Sequence, residues 1–337
     1  RGDIMKQHKI LLYAAIVLLL FGVTADSCEK ESGVYFRINR HGEDRHIYGA
    51  LPTSQDYWGW RHVMPVQLHG TAIDAVLEDH GYYEDTVTLR RINGRPIWSS
   101  YGEGGLNHRV SWDGNYIYSA NYRRHLSDFD LKEVVIPDSL VSGMEIGSIS
   151  DDNRYICYSR ANSSNYGDDP HRIVIVVWDD LNKIYSRVKL AYSGDFGGAV
   201  FVPHLDKICY VADGYFRWVG RDGSSGNLIY LGVNGWGGQL NLLPGEESCL
   251  MVTNQGVREY NFAQDAFTRT IPGFSNYCYA PHSRELYLIQ SNTVSCYHMD
   301  KDELRVVYRG DDHDQTLGYG FGCSMDGNYI FLGARKK

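Results

Sequence analysis

Apolar residues along this chain fall in short runs rich in Tyr, Val and Ile, separated by turns that carry Asp, Gly or Asn. The clearest unit is Ser111-Trp112-Asp113-Gly114-Asn115-Tyr116-Ile117-Tyr118. It returns as Ser324-Met325-Asp326-Gly327-Asn328-Tyr329-Ile330-Phe331, and more faintly as Ser150-Asp151-Asp152-Asn153-Arg154-Tyr155-Ile156-Cys157. Each predicts a tight turn feeding a strand. Three further turns have lost the Asp-Gly, but the strands after them still align, at Lys207-Ile208-Cys209, Ser248-Cys249-Leu250 and Glu285-Leu286-Tyr287. Other strands are expected between them, at Ile173–Trp178, Leu228–Leu231 and Thr293–Tyr297. Upstream, Val34–Ile38, His46–Ala50, Ala72–Leu77 and Thr86–Ile92 read as strands, and Asn93-Gly94 as a hairpin turn.

A period of about 40 residues with about four strands per unit is the signature of a β-propeller. The fold class is therefore all-β. Counting a unit near residues 65–105 gives seven four-stranded blades; six or eight stay open, because that unit carries the faintest phrase. The last unit stops at Lys337 after two strands, so N-terminal strands are expected to complete its sheet.

The longest apolar run is different. Ile10–Val23 follows Lys6, His8 and Lys9 and precedes small and polar residues, the pattern of a secretory signal peptide. It is short for a permanent bilayer span. Met5 reads as the start, with Arg1–Ile4 upstream of it. The expected organisation is 1–28 for upstream residues and signal, 29–61 for a tether with ring-closing strands, and 62–337 for the propeller.

Composition narrows the function. The formal net charge is −8, and no Lys/Arg stripe offsets it, which argues against nucleic acid as a partner. The 26 Tyr and 36 Gly against 9 Pro fit strands and turns. Six of the 13 His, His108, His171, His204, His282, His298 and His313, lie in different units without metal-ligand spacing. His313, within Asp311-Asp312-His313-Asp314, reads as a solvated acidic turn, and no metal or other cofactor is expected. Of the 7 Cys, Cys157 and Cys209 fall at strand packing positions, and Cys278 with Cys323 are the candidates for a disulfide. No Gly-x-Ser-x-Gly elbow is present.

The repeated phrase resembles the WD40-like (PD40) repeat of TolB-type propellers, in which Ser-Pro-Asp-Gly precedes a strand. Trp112 and Met325 stand in place of the Pro. The resemblance covers residues 62–337 and implies fold rather than function. Ala25-Asp26-Ser27-Cys28-Glu29-Lys30 resembles the signal end of Bacteroidetes-type lipoproteins. That implies acylation of Cys28, a membrane anchor, and residence at the outer membrane of a Gram-negative cell envelope.

In a propeller, the residues before each phrase converge on one mouth of the central channel. The candidate ligand-binding residues are thus His62, His108, Arg109, Glu145, Asp195, Trp236, Gln239, Asn276, Tyr277 and Tyr319. Polar groups and aromatic planes around a concavity suit a protein partner or a glycan. The expected function is a monomeric, non-catalytic binding or scaffold module. The alternative is a polysaccharide lyase or glycoside hydrolase at the same mouth, using Glu145 and Asp195 or His108 with Arg109.

Overall fold

The two ends of the described chain meet in one sheet. In the computed structural model the described residues lie between 33 and 336, without 52–61, 67–74, 80–85, 92–95, 102–107, 162–172, 191–195, 227–228, 233–239, 244, 246, 274–275 and 325. The last strand, Tyr329–Lys336, pairs on one side with Gln315–Cys323 and on the other with Gly33–Asn39, which in turn pairs with Arg45–Leu51. This is the closure expected from the sequence, with strands at the two N-terminal stretches anticipated for it.

Among the described residues there are seven sheets of four strands. Blade 1 comprises His62–Val66, Ala75–Asp79, Thr86–Arg91 and Pro96–Tyr101. Blade 2 comprises Arg109–Val110, Tyr116–Ser119, Tyr122–His125 and Asp128–Val134. Blade 3 follows a short helix, Asp138–Val141, and comprises Glu145–Ile149, Tyr155–Ala161, Ile173–Asp179 and Ile184–Leu190. Blade 4 comprises Phe196–Val202, Lys207–Ala212, Tyr215–Gly220 and Ile229–Tyr230. Blade 5 comprises Leu240–Leu242, Ser248–Thr253, Gly256–Asn261 and Ala266–Ile271. Blade 6 comprises Asn276–Ala280, Glu285–Gln290, Thr293–His298 and Glu303–Arg309, and blade 7 is the closing sheet. Two expected strands are described in part. Residues 72–74 and 228 lie outside the described residues; the described parts of these strands are Ala75–Asp79 and Ile229–Tyr230, and Leu231 falls after the strand. There the Leu231 N–H turns back to the Gly214 carbonyl, and Gly232 takes a left-handed φ of 69°, which ends the extended run.

The repeated phrase works as a turn for a definable reason. In blade 2 the Ser111 hydroxyl donates to the Asp113 carboxylate at 2.5 Å and accepts the Tyr116 N–H at 2.9 Å. The same carboxylate oxygen accepts the Asn115 N–H at 3.0 Å. Ser150, Asp152, Arg154 and Tyr155 repeat these bonds, as do Ser324, Asp326, Asn328 and Tyr329. Third from each Ser stands a left-handed residue, Gly114, Asn153 or Gly327, types that tolerate that conformation. Two of the degenerate copies turn by another route: Asp206 and Arg284 are left-handed immediately before the strand, and in blade 4 a 3-10 turn, Pro203–Leu205, precedes Asp206.

Packing lies between blades rather than within them. Along Ile173–Asp179, the side chains of Val174, Val176 and Trp178 join Tyr118 and its neighbours toward blade 2. Ile173, Ile175 and Val177 join Phe201 and Ile208 toward blade 4. The period-2 alternation of a strand thus feeds two interfaces, which explains why a continuous apolar run sits mid-sheet. Cys157, Cys209 and Cys249 are buried in these interfaces.

Polar ties cross the same seams. The Trp112 indole N–H donates to the Ile149 carbonyl at 3.0 Å, and the Asn153 amide to Asp113 at 2.9 Å, joining the turns of blades 2 and 3. At the closing seam Arg40 pairs with Glu285 at 2.5 Å, and the Tyr287 hydroxyl donates to the Gly327 carbonyl at 2.6 Å.

Candidate functional site

The first strands of the blades face one another around the axis. Those of blades 3 and 4, 4 and 5, 6 and 7, and 7 and 1 are neighbours in space. The first strands of blades 3 and 5, which are not adjacent in the ring, also approach within 8 Å between Cα atoms. The lumen is narrow on that side. Glycine permits this approach. A Cβ at Gly147 would lie 1.8 Å from the Ala199 carbonyl oxygen, so the strands of blades 3 and 4 touch backbone to backbone. The register of blade 3 slips at the same residue, between Ile146 and Ser148. The Ser148 hydroxyl accepts the Phe201 N–H at 3.1 Å and fastens the two strands.

That bulge carries the Ile146 carbonyl to the Arg109 side chain, whose Nε donates to it at 3.4 Å. Arg109 opens the first strand of blade 2. Burial pulls its guanidinium below the ordinary arginine range, and the fields of Tyr277 and Glu145 act in the opposite sense. Tyr277 belongs to blade 6, across the ring. Its ring is buried, and its hydroxyl accepts the Asn241 amide N–H at 2.7 Å and donates to the Leu250 carbonyl at 3.2 Å. Burial pushes its phenol pKa up, so it stays neutral in ordinary buffers. Glu145, exposed, opens the first strand of blade 3 at the rim.

The structure therefore brings together three of the residues picked out by sequence, Arg109, Glu145 and Tyr277. His108 is buried just before Arg109. His62 heads the first strand of blade 1, opposite Asp79, and Asn276 heads that of blade 6, opposite Ile289. Tyr319 lies in the first strand of blade 7, where the register slips between Leu317 and Phe321. Asp195, Trp236 and Gln239 lie outside the described residues, as does Cys28. Sequence reasoning missed Asn241. Its signal was present as a single polar position between the buried Leu240 and Leu242 of an innermost strand.

The chemistry gathered here is one cation, Arg109, and an internal hydrogen-bond chain from the Asn241 amide through the Tyr277 hydroxyl to the Leu250 carbonyl. Among the described residues that open the seven first strands, Glu145 is the one carboxylate. No described group of His, Cys, Asp and Glu is placed to hold a metal ion. His313 ends a 3-10 turn, Gly310–His313, and its ring stacks on Tyr308 with centroids 4.8 Å apart. Cys278 and Cys323 meet across the blade 6–7 seam as free thiols in hydrogen-bond contact.

No family model matches the chain, and no curated protein matches it in sequence. The chain is similar in structure to the β-propeller domain of Cps50 (Swd1) from Myceliophteria thermophila. The TM-score is 0.51 at 12% identity, over 82% of this chain and 96% of that one. A likeness at that identity shows the fold alone: this chain folds as a β-propeller.

Proposed function

We propose that this protein is a non-catalytic binding module that engages a protein partner through the channel mouth, held at a cell envelope by a lipid on Cys28. The anchor rests on the apolar segment Ile10–Val23 and the Ser27-Cys28-Glu29 context. The binding reading rests on one observation: the mouth gathers Arg109, Asn241 and Tyr277 from blades 2, 5 and 6 on rigid first strands. Side chains fixed on strands hold a recognition surface in one shape. General acid–base hydrolysis of a glycan needs two carboxylates flanking the bond, and the described mouth supplies Glu145.

The test is a screen of the protein against plant and host polysaccharides with product analysis of every hit. The expected result is no turnover for any glycan. Turnover that disappears in Glu145→Gln would replace this reading by an enzymatic one.

A further inference from the structure

We infer that Cys278 and Cys323 form a modification site, a dithiol that a small disulfide or the disulfide of a thiol oxidoreductase converts into a covalent bridge between blades 6 and 7. The inference goes beyond the binding reading and does not depend on it.

The first ground is placement. Cys278 lies on the first strand of blade 6, and Cys323 ends the first strand of blade 7. These strands are neighbours in space. Side chains alternate along a strand, and here the alternation aims both sulfurs into one seam. Tyr277 packs toward blade 5, with Leu250 and Val257. Cys278, one residue on, packs against the cluster that holds Phe36, Val294 and Cys323. The two thiols meet there in hydrogen-bond contact. A disulfide requires neighbouring backbones and sulfurs turned toward each other, and this pair has both.

The second ground is the position of the other described cysteines. Cys296 is buried in the same seam, but Tyr287 pairs with Cys278 on one side and with Cys296 on the other. Two strand spacings hold those two cysteines about 10 Å apart, past the roughly 7 Å that a disulfide spans between Cα atoms. Cys157, Cys209 and Cys249 are at most 2% exposed, so an outside reagent does not reach them in the folded chain.

The third ground is unequal access, which sets the order of reaction. Cys278 is half-buried and Cys323 is buried. An incoming disulfide therefore meets Cys278 first. The Cys278 thiolate attacks one sulfur of the reagent, the reagent's S–S bond breaks, and one thiol leaves with the proton that Cys278 gave up. The Cys323 thiolate then attacks the Cys278 sulfur and displaces the second thiol. The protein loses two electrons and two protons, and the reagent is reduced to two thiols. Burial pushes the Cys278 thiol well up, with Cys323 acting in the same sense. Thiolate is scarce at neutral pH, so the first step is slow there and quickens as pH rises.

The bridge encloses residues 278–323, which include the other three strands of blade 6. It adds a covalent tie at the seam beside the closing blade.

The experiment adds an excess of oxidised glutathione to the folded full chain at mildly alkaline pH. Remaining thiols are blocked with N-ethylmaleimide in denaturant, and a non-reducing tryptic digest is read by mass spectrometry. The expected product joins Thr270–Arg284 to Gly310–Arg335, less two hydrogens, while the Cys296 peptide, Glu285–Lys301, is fully alkylated. The bridged chain is expected to melt about 5 °C higher, as a crosslink closing a long loop does in a chain of this size. In Cys323→Ser the reaction stops at a Cys278–glutathione mixed disulfide, and in Cys278→Ser neither product forms. The map of the unaltered chain decides the pairing without any variant. Full alkylation of Cys278 and Cys323 after oxidation overturns the inference. A bridge from either one to Cys296 overturns the pairing. A mixed disulfide at Cys323 in Cys278→Ser overturns the order of attack. An unchanged melting temperature in the bridged chain overturns its role as a tie across the seam.

Discussion

Replacing Phe36 by alanine is expected to lower stability by about 3–5 kcal/mol, a large part of what a domain possesses. Phe36 is fully buried, and so is Ile38 two positions on, on the same face of the strand. Both belong to a cluster that also contains Tyr287, Val294 and Tyr308 from blade 6 and Ile330 and Leu332 from blade 7. The Phe36 ring packs against Tyr308 with centroids 5.4 Å apart, and Arg45 lies over its other side at 4.3 Å. The residue therefore holds a seam rather than one sheet. The closing strand fixes the end of the chain to its beginning, so weakening it loosens blade 7 and its neighbour together. Removing residues 33–51 is expected to abolish the cooperative transition altogether, since blade 7 would keep two strands and an open edge. Urea unfolding followed by circular dichroism measures both. Leu131→Ala, on an outer strand at 62% exposure, serves as the control and is expected to shift stability by less than about 0.5 kcal/mol. A Phe36→Ala midpoint equal to that of the control would show that the N-terminal strand does not carry the seam.

The second large effect belongs to Glu285. Its side chain is 7% exposed, accepts from Arg40, shares the Tyr287 hydroxyl proton with the Gly327 carbonyl, and ties blade 6 to the turn between the Gly33–Asn39 and Arg45–Leu51 strands of blade 7. Glu285→Ala leaves the Arg40 guanidinium without its partner and is expected to cost about 3 kcal/mol. This is the lower end for a broken buried pair, because Arg40 retains 30% exposure and recovers some hydration. The pH dependence has a definite sign. Burial pushes the Glu285 carboxyl up, but the Tyr287 hydroxyl and the Arg40 guanidinium outweigh it and hold the group below its ordinary value. A carboxyl depressed in the folded state stabilises above its unfolded value, about 4.3, and that stabilisation fades as pH falls through the folded value. The difference between wild type and Glu285→Ala is therefore largest near pH 7 and shrinks below about pH 4. Urea midpoints for both proteins at pH 7 and pH 3 read it directly. A difference that stays constant with pH would mean that the Glu285 charge contributes nothing.

The ring was legible in the sequence because its signal is local. Ser111, Asp113 and Asn115 bond to one another within five residues, so the turn is written in contiguous letters, and two further copies spell the same bonds. The lost copies were harder. Asp206 and Arg284 adopt left-handed turns outside the Ser-x-Asp-Gly phrase, and only the strands after them betray the period. The closure was foreseen from two missing strands at the C-terminal end, a matter of counting rather than chemistry.

The mouth was legible only in part. Propeller topology brings the starts of the first strands together, so Arg109, Glu145 and Tyr277 could be picked out from order alone. What sets them apart is not local. The Arg109 environment depends on Tyr277 from blade 6 and on a carbonyl that the Gly147 bulge delivers from blade 3. Asn241 matters because it reaches Tyr277, a pairing that no spacing in the sequence encodes.

The measurement that tests the account most directly is site-specific photo-crosslinking in cells that produce the protein. A benzophenone side chain is placed at Glu145, on the rim of the mouth, and in a second variant at Leu304, which is 51% exposed on the outer strand of blade 6. The account predicts one discrete protein adduct from position 145 and none from position 304. An adduct from 304 with silence at 145 would move recognition to the outer face of the ring and contradict the assignment of the mouth.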